Sequence, residues 1–203
     1  MQKVVILDNG HGIETPGKRS PDCKFREYKW CRDFVQKLKY ELQQLDYLVF
    51  DIVPEVDDVG LTPRAKRANE IISKYGSDNC IFISVHNNAA GSGDKWYNVS
   101  GWEVWTTEGQ NNSDILAECL ADACIEVGIK LRSDKSDGDN DYESNFTVIQ
   151  KTNCPAVLTE NMFMDSKKDV EFLTSQEGVD KLINLHIIGI QKYFGCPTSI
   201  IKG

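Results

Sequence analysis

Asp8-Asn9-Gly10-His11-Gly12 follows directly on the apolar run Val4-Val5-Ile6-Leu7. A buried strand ending in a glycine-flanked histidine presents an imidazole at the carboxyl edge of a sheet, where open α/β sheets hold their ligands. The glycines permit a sharp turn and a close approach to the backbone. The chain has 3 histidines, so each placement carries weight. A second, His86, stands in the same setting after Ile81-Phe82-Ile83-Ser84-Val85. Two scarce histidines at two strand ends read as two ligands of one metal. Glu27 adds a further donor. It lies four residues before Cys31 and seven before Phe34, on the apolar stripe Trp30/Cys31, Phe34, Leu38, Leu42 and Leu45 that a helix buries. A carboxylate there must be paired, protonated or bound to a cation, because an unpaired buried charge is very costly. An ion pair with Arg64 or a nearby lysine is the structural alternative to metal ligation.

His11, Glu27 and His86 together form a His₂Glu set, the ligand type of open catalytic zinc sites. One Zn²⁺ so held keeps a net positive charge and a free position for water, whose pKa falls to about 7. Calcium or magnesium would need more oxygen ligands than this set offers. Glu160 closes the short apolar strand Pro155-Ala156-Val157-Leu158-Thr159. At the mouth of the same sheet, a carboxylate can take a proton from water and return it to a leaving amine. Taken by itself, such a residue reads as a helix-cap or surface acid. Asp8 reads as a group that orients His11 or a loop amide.

Apolar runs alternate with helical patterns from end to end, the signature of an α/β layer fold. The expected architecture is a single twisted, mostly parallel sheet of about six strands with helices on both faces, residues 1–203 forming one catalytic domain. Strands are expected at 3–8, 47–53, 80–86, 101–106, 146–150 and 155–160. Helices are expected at 26–45, 63–76, 112–127, 166–173 and 176–194. Segments 87–100 and 132–145, rich in Gly, Ser, Asp and Asn, are long loops of the kind that carry function or move.

Composition narrows the class. The net charge of -8 and the absence of a dense Lys/Arg cluster argue against a nucleic-acid binder. Pro63-Arg64-Ala65-Lys66-Arg67 reads as a solvated helix face with one buried ion pair. No stretch approaches the ~20 apolar residues of a membrane span, so no membrane insertion is expected. Met1-Gln2-Lys3 runs straight into a strand, with no secretory signal in view. The 7 cysteines are odd in number and include no C-x-x-C pair. That argues against a zinc ribbon and against a complete disulfide framework, while leaving room for one or two bridges. Cys31, Cys80 and Cys119 read as small buried hydrophobes, and folding in a reducing compartment fits best. His186, inside Leu182-Ile183-Asn184-Leu185-His186-Ile187-Ile188, reads as a satisfied or half-exposed helix histidine. Trp96, Tyr97 and Trp102 could stack on sugar rings, Trp96 being the better surface candidate and Trp102 at least as suited to the core.

At these residues the chain resembles the zinc-dependent N-acetylmuramoyl-L-alanine amidases of the family often called Amidase_3. The family's Asp-x-Gly-His-Gly strand end is matched by Asp8 to Gly12, and its glutamate at the start of the first helix by Glu27. Ser84-Val85-His86-Asn87-Asn88-Ala89 matches its Ser-x-His-x-Asn-Ala block, and Thr159-Glu160-Asn161-Met162-Phe163 its terminal strand. Leu61-Thr62-Pro63-Arg64 through Ala68-Asn69 and Gly101-Trp102-Glu103-Val104 resemble two further family segments. Asn9 and Met162 stand where the family often has Pro and Gly. The resemblance implies zinc on His11, Glu27 and His86 and proton transfer by Glu160. Asp8, Asn87, Arg64, Asn161 and Trp96 are further candidates for supporting or substrate-contacting roles. Tyr142, Glu143 and Asn145 in the acidic loop are candidates to touch a stem peptide. The implied substrate is peptidoglycan, cut between N-acetylmuramic acid and L-alanine. A zinc peptidase acting on the stem peptide and a catalytically silent wall-binding module are the alternatives. Action at the cell wall or periplasm is expected, reached by phage-type release or by a trimmed exported form.

Overall fold

Side chains alternate along β1 (Val4–Asn9), sending Val5 and Leu7 to one face of a sheet and Val4 and Ile6 to the other. Both faces are covered, so the strand reads as an unbroken apolar run, as buried parallel strands do. The structure, a computed structural model, describes residues 2–136 and 138–195. Its further strands are β2 (Leu48–Asp51), β3 (Cys80–Asn88), β4 (Glu103–Thr106), β5 (Tyr142–Glu143) and β6 (Ala156–Phe163). The helices are α1 (Glu27–Gln44), α2 (Leu61–Tyr75), α3 (Asn112–Glu126), α4 (Thr147–Gln150), α5 (Lys167–Thr174) and α6 (Gln176–Phe194), with a 3₁₀ turn at Ser77–Asn79. Phe34, Leu38 and Leu42 of α1 join Leu116 and Leu120 of α3 and Leu185, Ile187 and Ile188 of α6 over one face. Ala68 and Ile72 of α2 and Val148 and Ile149 of α4 cover the other. This is the expected two-sided α/β layer fold.

The six strands run in the order β2-β1-β3-β6-β4-β5. All adjacent pairs are parallel except β4 with β6. β1, β3 and β6 are consecutive in space, so their carboxyl ends emerge side by side. The register pairs His86 with Glu160 across β3 and β6 and Glu103 with Glu160 across β4 and β6. Three strand termini distant in the sequence therefore share one edge.

One expected strand is overturned. Of residues 146–150, Thr147–Gln150 form a helical turn, α4, and the strand that completes the six is β5, Tyr142–Glu143, inside the segment expected to be loop. The β-branched composition of Thr147-Val148-Ile149 favours extension, but burying Val148 and Ile149 together against the sheet requires adjacent side chains on one side. A helical turn supplies that and a strand does not; tertiary packing overrides propensity. The six described cysteines are all free, Cys119 being half-buried rather than buried, while Cys196 lies outside the described residues. Among the described residues no helix is long and apolar enough to cross a membrane.

The carboxyl edge is braced by Arg64 of α2, whose side chain is 2% exposed. Its guanidinium donates to Asp8 Oδ1 at 2.7 Å, to the Asn9 carbonyl at 2.6 Å, to the Val59 carbonyl at 2.6 Å and to Asp58 Oδ1 at 3.0 Å. Ser84 on β3 donates to the other Asp8 oxygen at 2.6 Å. Removing one member of such a pair strands the other charge in the interior. Arg64→Met is expected to lower the free energy of unfolding by about 3–5 kcal/mol. Adding Asp8→Asn to it should restore part of the loss, as read by urea denaturation.

Candidate metal centre and active site

His11 leaves the end of β1 with φ 62°, a left-handed conformation that a non-glycine residue adopts at some cost. The turn is held by its carbonyl, which accepts from Arg32 Nη1 at 2.9 Å and more weakly from Arg64 Nη2 at 3.5 Å. The preceding glycine is there for room. A Cβ on Gly10 would sit 2.5 Å from the His86 imidazole. With that space clear, the two rings meet edge to face with centroids 4.9 Å apart.

Glu27, the first residue of α1, projects between them and is completely buried. Its Oε1 lies 3.2 Å from His86 Nδ1 and 3.4 Å from His11 Nε2, and it accepts from the Asn87 backbone N–H at 3.0 Å. Oε2 is sealed from solvent without a hydrogen-bond partner, as are His11 Nε2 and Glu160 Oε2. The alternative of an Arg64–Glu27 pair is excluded, since Arg64 is committed to Asp8. A nearby lysine, Lys18, comes no closer than 4.0 Å to Oε2. Burial opposes ionisation of Glu27, yet the hydrogen bonds and charges of both imidazoles hold it well below the usual carboxylate range. Burial lowers His11, while Glu27 lifts His86 against its own burial. Ligand atoms of His11, Glu27 and His86 lie within 4.8 Å of one another. Two nitrogens and an ionised oxygen around one point, with buried lone pairs unsatisfied, suit a divalent cation of zinc's preferences.

Glu160 stands beside this centre, half-buried on the strand next to His86. Burial, reinforced by the Glu27 charge and relieved in part by His86, pushes its carboxyl up to about 8. A bulge shapes this corner: His86 pairs with Glu160 but Asn88 pairs with Phe163, so β6 carries an extra residue. Asn161 Nδ2 donates to the His86 carbonyl at 3.1 Å, and Asn87 Nδ2 to the Asn161 carbonyl at 2.6 Å. Asn87 and Asn161 thus pin the bulge rather than face open solvent. Met162 takes φ 63° within it, a left-handed conformation that glycine adopts without steric cost. Asn9 Nδ2 donates to Asp51 and to the Val53 carbonyl, both at 3.1 Å, bonds that proline could not make.

Some of the expectations hold and others change. Asp8 does not reach the His11 ring; it accepts from Arg64 and Ser84 and acts on His11 through the Arg64 contact to its carbonyl. Trp102 is core, fully buried with Nε1 on Asn161 Oδ1 at 3.0 Å. Trp96 is half-buried beneath the Lys167 ammonium, 5.7 Å from its ring centre. His186 is buried and bonded through Nδ1 to the Leu182 carbonyl, and burial lowers it to about 4. Tyr142 stacks on Trp105, and Glu143 accepts from the Gly109 N–H, on an edge strand separated from β6 by β4. Asn145 is exposed just beyond that edge strand and is not among the groups brought together.

Three contributors escape sequence reasoning. Lys18 faces Glu27 from a loop without periodic signal. Arg32 is half-buried beside the apolar stripe of α1, and its reach back to the His11 carbonyl has no local sequence signal. Glu103 is 3% exposed and accepts from Arg132, Asn88 and Trp105; its alternation with the buried Trp102 and Val104 gave no hint of a polar partner set.

Two outcomes follow from this geometry. Gly10→Ala drives a methyl into the His86 ring, so the fold should survive while affinity for a divalent metal falls about 10–100-fold, measured by competition with a chromogenic chelator. The second concerns pH in the metal-free protein. Below about 4.5, folded and unfolded chains both hold the Glu160 proton; as pH rises toward 8 only the fold retains it, and stability falls. Glu160→Gln should therefore melt above wild type at pH 8, the gap closing toward pH 4.

Residues 5–192 match the family of N-acetylmuramoyl-L-alanine amidases. The chain is 28% identical over 193 residues to the endolysin of Bacillus phage SPP1, covering 94% of this chain and 65% of that protein. It is 32% identical over 198 residues to the N-acetylmuramoyl-L-alanine amidase CwlM of Bacillus licheniformis, covering 96% and 70%. In fold it is similar to the crystal structure of an N-acetylmuramoyl-L-alanine amidase from Clostridium difficile 630, with TM-score 0.81 at 23% identity over 96% of this chain and 97% of that one. The chain belongs to the N-acetylmuramoyl-L-alanine amidase family, Amidase_3.

Proposed function

We propose that residues 1–203 form one catalytic domain that hydrolyses the amide between the lactyl group of N-acetylmuramic acid and L-alanine of the peptidoglycan stem peptide. The observation that carries this reading is the convergence of His11, Glu27 and His86 beside a half-buried Glu160 on one sheet edge. His11, Glu27 and His86 would hold one Zn²⁺. When bound, zinc supplies Lewis-acid polarisation of an amide carbonyl and makes a water acidic enough to attack near neutral pH.

The chain's own residues do the rest. Glu160, with a raised pKa and an unpartnered oxygen, is placed to accept a proton from the attacking water. It then returns that proton to the departing alanine nitrogen, so one group serves as base and acid in turn. A cation on the neighbouring triad would draw its pKa back down, toward the value such a shuttle needs. Asn87 and Asn161 hold the bulge that aims Glu160, and Arg64 with Asp8 holds the turn that aims His11. Peptidoglycan is the partner, and the place of action is the cell wall; the endolysin relative favours a lytic role.

Glu160→Gln should reduce turnover of purified sacculi by about 10²–10⁴-fold with zinc content unchanged. Mass spectrometry of the wild-type digest should show intact stem peptides with new L-alanine amino termini and uncut glycan strands. Other new termini would indicate a stem-peptide peptidase, and no release at all a wall-binding module.

A further inference from the structure

A second group of carboxylates converges away from the His–Glu–His centre. Glu118 of α3 and Asp139 and Asp141 of the following loop each place an oxygen within 4.8 Å of the others. We propose that these three residues form a separate site for a hard divalent cation of the calcium type, which fastens the loop at 139–141 to α3 and β4.

The loop is already led to the helix by local bonds. Glu118 accepts from the Asn140 backbone N–H at 2.5 Å and from its side-chain amide at 2.9 Å. Asp141 accepts from Thr106 of β4 through Oδ2, and Asp139 from Gln110 through Oδ2 at 3.0 Å. What these bonds leave over is the informative part. Asp141 is 2% exposed, yet its Oδ1 is sealed from solvent and meets no donor; Oδ1 of Asp139 is in the same condition. Among the described residues none of the three carboxylates takes part in an ion pair. Buried carboxylate oxygens facing one another without a donor need either a shared proton or a cation. Burial and the Asp139 charge, against the Thr106 bond, push the Asp141 carboxyl up to about 7, in keeping with such crowding.

The chemistry selects the ion. An all-oxygen, carboxylate-rich set suits calcium or magnesium and not zinc. Calcium accepts a flexible oxygen shell whereas magnesium demands a near-octahedral one, so a set drawn from a helix and a loop favours calcium. Occupation would bear on the active edge, because the same loop begins at Arg132, which donates to Glu103 at 2.6 Å directly across from Glu160.

The test uses the zinc-loaded chain and Tb³⁺ as a luminescent calcium probe. Tyr142 follows Asp141 and stacks on Trp105 at 4.8 Å, so excitation of these rings should sensitise bound terbium. Saturable emission displaced by Ca²⁺ is expected. Asp139→Asn and Glu118→Gln should each weaken it at least ~10-fold, while His11→Ala leaves it unchanged. Saturating Ca²⁺ should also raise the wild-type melting temperature by about 5 °C, and that of Asp139→Asn by much less. Absence of saturable emission, indifference to Asp139→Asn and Glu118→Gln, or loss in His11→Ala would overturn the proposal. None of these readouts depends on amidase activity.

Discussion

An ionised carboxylate with no solvent contact is the constraint around which this protein is arranged. Glu27 begins α1 on the stripe that the helix buries, where Phe34 and Leu38 need to be dry. Hydrophobic packing alone would exclude a charge from that stripe. The charge persists because two imidazoles and the Asn87 N–H close on it, while its second oxygen is left without a donor. Each neighbour in turn has its own requirement. His86 needs the space that Gly10 vacates. His11 needs a left-handed turn, and the turn needs its carbonyl tied to Arg32 and Arg64. The Arg64 guanidinium, buried itself, needs Asp8. A single costly group thus accounts for a connected set of polar residues inside an otherwise apolar layer fold.

Topology supplies the meeting place. Parallel strands send all their carboxyl ends to one side, and the order β1-β3-β6 makes neighbours of residues 11, 86 and 160. The antiparallel β4 contributes its start rather than its end there, which brings Glu103 opposite Glu160. The bulge between His86 and Phe163 adds the final adjustment. It inserts one residue on β6 and fixes it with the Asn87 and Asn161 side-chain amides, which donate to backbone carbonyls and hold this edge in place. Backbone strain at His11 and Met162 falls at this edge and reflects the same demand for placement.

Much of this was legible in the order of residues because strand ends are local signals. An apolar run followed by Gly-His-Gly, or by His-Asn-Asn, announces both the strand and the side chain it delivers. The helical period of α1 placed Glu27 on its buried side without any knowledge of the partner. Partner choice is where local reasoning stops. Nothing near Asp8 says that its counter-charge comes from residue 64, and nothing near Arg32 says that it returns to the His11 carbonyl. The segment 146–150 misled for a related reason: β-branched residues suit a strand, but the sheet face needed Val148 and Ile149 buried side by side. The loop at 139–141 showed only its acidity in sequence; that its carboxylates close on Glu118 depends on how α3 packs.

X-ray absorption at the zinc edge of the chain loaded with a single equivalent of zinc reads whether one divalent ion is held by two imidazoles, from the ends of β1 and β3, and the carboxylate that opens α1. Nitrogen and oxygen neighbours at about 2.0–2.2 Å with the multiple scattering of two imidazoles are expected, reduced to one imidazole in His86→Ala. A sulfur shell at about 2.3 Å, as cysteine ligation would give, or a spectrum unchanged by that substitution, would contradict that ligation.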